Sequence, residues 1–455
     1  MSVVVQCWLT ILLFWPIGDL LRKWAGNAIN QLVYLLDYGV IALILLVFWR
    51  QGAYRLQPSL RLPLLLLLMI TLPNLGSLLL QRGLPYLGIY ILSLLALVGP
   101  FLLVGCRSSG WKFDPHFLRL GGVLVASLAL INNLLTVFQS LLGKDHWLSA
   151  TTAGSPLGTQ IAANVDKIEL RSPGLFSVVN SNATFTCVSL VLLAVPALWM
   201  AAPLGGERLL RILAIVSVPV AAIRAVSRTY LLQLAAVLFP LLPSILRPAI
   251  FGRLIVFATV IPFLSLLLLP EIQQVVTDGL SSVVLRFSTA DNLLERVAQI
   301  FTTDASGSSR SLLTVLPRWF ILDPLSCLCG FGLGLASPLN RFQLGAADPS
   351  YGQILVDGYQ FLLGENPIFS LLSELGVLGF LSYCWFVIES LRILVSEALQ
   401  LSGQAQRAGF ALILQSILLV CFGAYFRTSS FLGQAYTLMS FHLLVHASPS
   451  TPRLR

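Results

Sequence analysis

Charge is what this sequence has least of. Charged residues make up 10% of its 455 residues, against 57% apolar, and a soluble protein of that length needs far more charge to cover its surface. Histidine is scarcer still: the chain has four (His116, His146, His442 and His446), none of them between residues 271 and 365. No basic stripe with interleaved aromatics occurs, so the net charge of +9 does not point to nucleic acid. The arginines stand singly or in pairs between apolar runs, as orientation signals do. Zinc spacing is absent too. Cys327 and Cys329 are separated by one residue, and Cys7, Cys187, Cys384 and Cys421 read as small apolar residues within predicted spans. No metal and no cofactor is expected. An internal repeat is also missing, which leaves an inverted-repeat transporter without support. The first apolar run, Val3 to Leu21, has no basic residue ahead of it and no clear small-residue cleavage site. It is read as a span rather than a cleaved signal peptide.

What the chain has is apolar runs, of which Leu84 to Val104 and Leu254 to Leu269 are typical. A membrane span takes roughly 17–25 mostly apolar residues in a helix, because lipid offers the backbone no hydrogen bonds. The expected fold is an all-α polytopic membrane protein. Its spans are placed at 3–21, 31–49, 62–80, 84–105, 119–142, 182–202, 209–225, 229–246, 251–270, 366–388, 408–426 and 430–447. Residues 1–270 form an N-terminal nine-span region, 271–365 a long outer loop, and 366–455 a C-terminal three-span region. With the N-terminus inside, the short cytoplasmic loops carry Arg50, Arg55 and Arg61; Arg107 and Lys112; Arg208 and Arg211; Arg247 and Arg253; Arg392 and Arg407. Arg453 and Arg455 follow in the tail, so both termini are expected in the cytoplasm. Arg22 and Lys23 fall on the other side, where they either snorkel or mark a first segment that is not a simple span.

Two outer loops are long. Residues 143–181 are polar and rich in Ser, Thr, Ala and Asn. Residues 271–365 hold five basic and nine acidic residues. Within them Val283 to Ile300 is amphipathic: Val284, Leu285, Leu293, Leu294 and Val297 fit one face, Asp291, Glu295 and Arg296 the other. Such a helix either lies flat on the membrane or covers the bundle.

Four clusters carry chemistry. Arg224-Ala-Val-Ser-Arg228-Thr-Tyr230 forms the outer turn between spans seven and eight. Arginine near lipid seeks water, a partner or an anion, and its flat fork suits phosphate. Snorkelling is the plainer reading. Ser306-Gly-Ser-Ser-Arg310 sets a guanidinium beside a bend able to offer amides to an anion, or is a simple exposed loop. Asp323-Pro to Gly330-Phe-Gly-Leu-Gly334 allows positive φ and close backbone approach, with a structural turn as the default. Glu365-Asn366-Pro367 begins span ten, where a carboxylate caps the helix dipole or takes a proton from an acceptor hydroxyl. Glu374 lies about two turns deeper, either a functional intramembrane acid or a hydrogen-bonded structural one.

In this order, the pieces resemble the O-antigen ligase and polymerase superfamily of bacterial membrane glycosyltransferases. The pattern is Ser227-Arg228 entering an apolar span, a large outer loop with Ser309-Arg310, and Pro324 running to Gly330-x-Gly-x-Gly334. Asn366-x-x-x-x-Leu-Leu-x-Glu374-x-Gly-x-x-Gly379 then leads into the next span. The resemblance implies a GT-C-like fold and a metal-independent, inverting transfer at the outer face of the inner membrane. The donor is a glycan linked through diphosphate to a polyprenol, and the acceptor a glycan or lipid-glycan; membrane lipids and other polysaccharide-assembly proteins are the remaining partners. It assigns Arg228 and Arg310, helped by Arg224, to the diphosphate, and Glu365 to the base, with Asn366, Glu374, Asp348 and Asp357 as further candidates. Family ligases carry His where this chain has Glu365, which shifts the expectation from ligase towards repeat-unit polymerase.

The rival from another class is a lipid-linked glycan flippase, which also needs many spans and cations facing an anionic lipid. Transporters place charge near the midplane, whereas here it gathers at span ends. A non-enzymatic assembly scaffold is the third reading.

Overall fold

A computed structural model describes residues 3–24, 27–106, 115–142, 161–164, 167–170, 172–176, 179–195, 205–225, 228–245, 312–334, 367–422 and 428–447. The helices are α1 (Val3–Trp24), α2 (Asn27–Arg50), α3 (Pro58–Arg82), α4 (Pro85–Leu102), α5 (Pro115–Leu142), α6 (Val179–Leu193), α7 (Gly205–Arg224) and α8 (Arg228–Ile245). They continue as α9 (Leu312–Leu322), α10 (Pro324–Cys329), α11 (Pro367–Ala398), α12 (Gly403–Phe422) and α13 (Thr428–Ala447). Every expected span except 251–270, which lies outside the described residues, overlaps one of these helices. Among the described residues, 5 helical stretches are long and apolar enough to cross a membrane: Val3–Arg22, Pro58–Gly76, Tyr86–Gly105, His116–Leu142 and Leu371–Ala398. The amphipathic segment 283–300 lies outside the described residues.

Two expectations change. Span six was placed at 182–202, but α6 ends at Leu193, three residues before Pro196, whose ring disfavours helix in the residue preceding it. The all-α expectation also has an exception. In the 143–181 loop, β1 (Ile161–Asn164) pairs antiparallel with β2 (Lys167–Leu170), with Ile161 opposite Leu170 and Asn164 opposite Lys167.

The bundle is apolar outside, and within its largely apolar core it buries a cluster of polar side chains. On α3, Leu62, Leu65, Met69 and Leu72 are each more than half exposed. Their three-and-four spacing makes one outward stripe. Buried within are Asn132, Asn133, Thr136 and Gln139 of α5 and Asn182, Thr184 and Thr186 of α6. An apolar exterior with buried polar pairs suits lipid, where helices associate through packing and interhelical hydrogen bonds. Asn132 donates to Asn182 Oδ1 at 2.6 Å, and Asn182 donates to Thr136 Oγ1 at 2.9 Å. Gln415 of α12 donates to Gln233 of α8 at 2.7 Å.

Cross-contacts define two ends. At the basal end Trp8 Nε1 donates to Ser440 Oγ at 3.0 Å, His442 Nε2 to the Leu103 carbonyl at 2.8 Å, and the Arg55 amide to the Gly105 carbonyl at 2.9 Å. Packed under Gly105, the Tyr54 phenol is pushed up to about 12 by burial. Arg119 and Glu207, near the starts of α5 and α7, pair at 2.7 Å, so these helices run parallel. By helix direction Arg50, Arg55, Arg61, Arg208, Arg211, Arg392 and Arg407 all fall at the basal end.

At the apical end, Arg22 is neither snorkelling nor exposed. It is buried against Asp19 at 2.7 Å and against Asp37 of α2. Here too Ser172 to Phe176 dips into the bundle. Gly174 exchanges two hydrogen bonds with the Gln139 amide, at 2.8 and 2.9 Å, and the Leu175 amide donates to Asn132 Oδ1 at 2.9 Å. Irregular backbone at such depth is tolerated because protein groups satisfy it.

Candidate functional site

The site is built on a broken helix. Inside α11, Gly376 has φ 66 and ψ 180, a conformation open essentially to glycine alone. The chain therefore divides into a half-helix, 367–375, and a longer segment, 377–398. Against the break lies an extended strap, Gly330 to Gly334. The Phe331 amide donates to the Ser373 carbonyl at 2.8 Å and the Gly332 amide to the Glu374 carbonyl at 3.2 Å. Gly334 closes the unit by donating to Glu374 Oε2 at 2.9 Å. The glycines at 330, 332 and 334 have φ 77, 125 and 90. At Gly330 a Cβ would fall 2.6 Å from the Gly376 amide nitrogen, and at Gly334 2.7 Å from Ser93 Oγ. Gly330 thus serves close approach of two protein backbones, and Gly334 close approach to the Ile89 and Ser93 side chains of α4.

Short elements hold the strap from outside. Asp323 caps α10 by accepting from the Ser326 amide at 3.1 Å, and Pro324 follows at the first helical position, where its missing N–H costs nothing. Trp319 of α9 donates to Ser326 Oγ at 2.9 Å and stacks on Phe331 at 5.5 Å. Asn74 of α3 donates to the Cys329 and Gly330 carbonyls at 2.7 and 3.0 Å, and the Tyr86 hydroxyl of α4 to the Leu333 carbonyl at 2.8 Å.

Glu374 is buried at 1% exposure and accepts a hydrogen bond from the Gly334 amide. Arg224 is half-buried at the last position of α7, and Arg228 opens α8 at the same apical end. The Arg228 side chain, and Ser227, Arg310, Asp348, Asp357, Glu365 and Asn366 entirely, lie outside the described residues. Burial, with Asp323 beside it, raises the Cys327 thiol above its ordinary range, so it stays protonated. No group of three or more His, Cys, Asp or Glu is placed to hold a metal among the described residues.

The structure thus joins two of the four clusters, the glycine stretch and the Glu374 motif. Sequence reasoning missed Asn74 and Tyr86, and it missed Asp19 and Asp37. Asp37 carried a usable signal, as an acid in the middle of an apolar run. No family model matches the chain, and no curated protein matches it in sequence.

Proposed function

We propose that this chain is a bacterial inner-membrane glycosyltransferase, of polysaccharide polymerase or O-antigen ligase type. It moves an oligosaccharide from polyprenyl diphosphate to a glycan or lipid-glycan acceptor at the outer face. One relationship carries this reading: Gly330–Gly334 and Ser373–Gly376, whose motifs carried the resemblance, pack as one unit. They do so at the end of the bundle where α7 ends at Arg224 and α8 begins at Arg228.

In the proposed reaction the acceptor hydroxyl attacks the anomeric carbon in a single inverting displacement. The bond from that carbon to the diphosphate oxygen breaks, and its electron pair leaves on the diphosphate. Arg228 and Arg310, aided by Arg224, stabilise that charge. The hydroxyl proton passes to Glu365. Glu374 is engaged with the Gly334 amide, which favours Glu365 as base over it; Asn366, Asp348 and Asp357 belong to the same outer segment.

A GT-C-like topology of about twelve spans, with both termini cytoplasmic, completes the proposal. Basal clustering of the arginines supports it. So does the path of the chain: α8 leads away from the apical end and α9 and α10 lie there again. An apolar segment such as 251–270 is long enough to make the return.

The test is purified protein given a polyprenyl-diphosphate oligosaccharide. Release of polyprenyl diphosphate with lengthening or transfer of the glycan is expected. Absence of turnover, with the intact lipid moving between leaflets, would instead make the protein a flippase.

A further inference from the structure

We infer that Glu374 is a positioning residue: it pins the half-helix 367–375 to the Gly330–Gly334 strap and so fixes where the outer end of that half-helix stands. The inference rests on the glycosyl-transfer reading for its consequence, though not for its geometry.

A continuous helix sets the direction of its first turns by its own hydrogen-bond ladder. Here Gly376 breaks that continuity, so the angle between the halves is set by what grips the half-helix. Beside the packing of Leu371, Leu372 and Leu375, that grip is the strap, through the Ser373 and Glu374 carbonyls and the Glu374 carboxylate. The strap is in turn tied to α3 by Asn74 and to α4 by Tyr86. Among these bonds between strap and half-helix, the one to Glu374 Oε2 comes from a side chain, so it can be removed without changing the backbone.

The lever is short but sufficient. Nine residues of helix span about 13 Å, so a swing of about 10° at the glycine displaces Pro367 by about 2 Å. Glu365 and Asn366 immediately precede Pro367 in the chain. Misplacement of a reacting group by about 1 Å can cost on the order of a hundredfold in rate. Glu374 therefore acts on turnover through the half-helix, without touching the reacting atoms.

Two variants separate this role from its rivals. Glu374→Gln keeps an oxygen able to accept from Gly334, and Glu374→Ala removes it. Hydrogen exchange of the full-length protein in lipid nanodiscs reads the pin directly. Exchange across 330–334 is expected to quicken at least tenfold in the Ala variant, to stay near wild type in Gln, and to leave α5 and α6 unchanged in both. For turnover, kcat is expected to fall at least thirtyfold in Ala with little change in KM, and less than threefold in Gln, with the same pH profile as wild type. Unchanged exchange in the Ala variant overturns the pin. A Gln variant as inactive as Ala, with its exchange intact, overturns it in favour of a chemical role for the carboxylate. If wild type shows no turnover at all, the glycosyl-transfer reading fails, while the exchange result still decides the pin.

Discussion

Arg22 and Asp37 face each other across the hairpin of α1 and α2, both almost wholly buried. Asp19 holds the other side of the same guanidinium. This pairing explains how an arginine persists at the end of the bundle opposite most of the others. Two carboxylates on one guanidinium also make the three residues unequal. Replacing Arg22 by Met leaves two facing acids with their common cation gone, and a buried pair broken on one side costs about 3–5 kcal/mol. Replacing Asp37 by Asn leaves Asp19 in place. Thermal unfolding in detergent, followed by tryptophan fluorescence, should therefore fall much further for Arg22→Met than for Asp37→Asn.

Gly174 and Gly376 are both required by φ and by space. At Gly174 (φ 64) an added Cβ would reach within 2.7 Å of Thr136 Oγ1, and at Gly376 within 2.5 Å of the Leu328 carbonyl. Gly39 on α2 meets nothing within 4 Å. Gly174→Ala and Gly376→Ala are each expected to lose about 2–3 kcal/mol or more from strain and displaced hydrogen bonds. Gly39→Ala should be neutral or slightly stabilising, as alanine favours helix. Yield of monodisperse protein and its melting temperature check all three.

If the diphosphate is held as proposed, Arg228→Ala and Arg310→Ala each lower turnover by about a hundredfold to a thousandfold. Lysine at either position should restore only part, because a point charge lacks the planar fork. Glu365→Gln should be inactive at every pH. Release of polyprenyl diphosphate is the measurement, and full activity in Glu365→Gln would leave that residue as a helix cap.

The two ends of the bundle predict two labelling patterns. A cysteine introduced at Gln51, at the basal end, should react with an impermeant maleimide only after the cells are opened. On the proposed orientation, one at Ala163, in the β1–β2 hairpin, should react in intact cells. The reverse pattern would invert the orientation.

How legible all this was in the sequence depended on range. Apolar runs such as Leu84 to Val104 marked helices because each span satisfies its backbone locally. Gly330, Gly332 and Gly334 announced a close approach, and Glu374 announced a buried acid. That these were partners was hidden, since nothing in either segment names a residue forty positions away. Asn74 was hidden for the same reason: an amide in an apolar run gives no hint that its partners are carbonyls near residue 330. Arg22 misled because its neutralising acid, Asp37, belongs to the next helix. The hairpin at 161–170 was masked by a loop composition of small polar residues, which pointed to no regular structure.

Trp8 donates to Ser440 across a separation of 432 residues. During synthesis that hydroxyl does not exist when α1 enters the membrane. At about 5–20 residues per second the wait is on the order of twenty to ninety seconds. For that time the indole N–H of α1 needs a substitute partner, a lipid headgroup, water or an insertion chaperone. Helix α13 is therefore the one that seals α1, and a ribosome stalled before residue 428 leaves the bundle open along that seam.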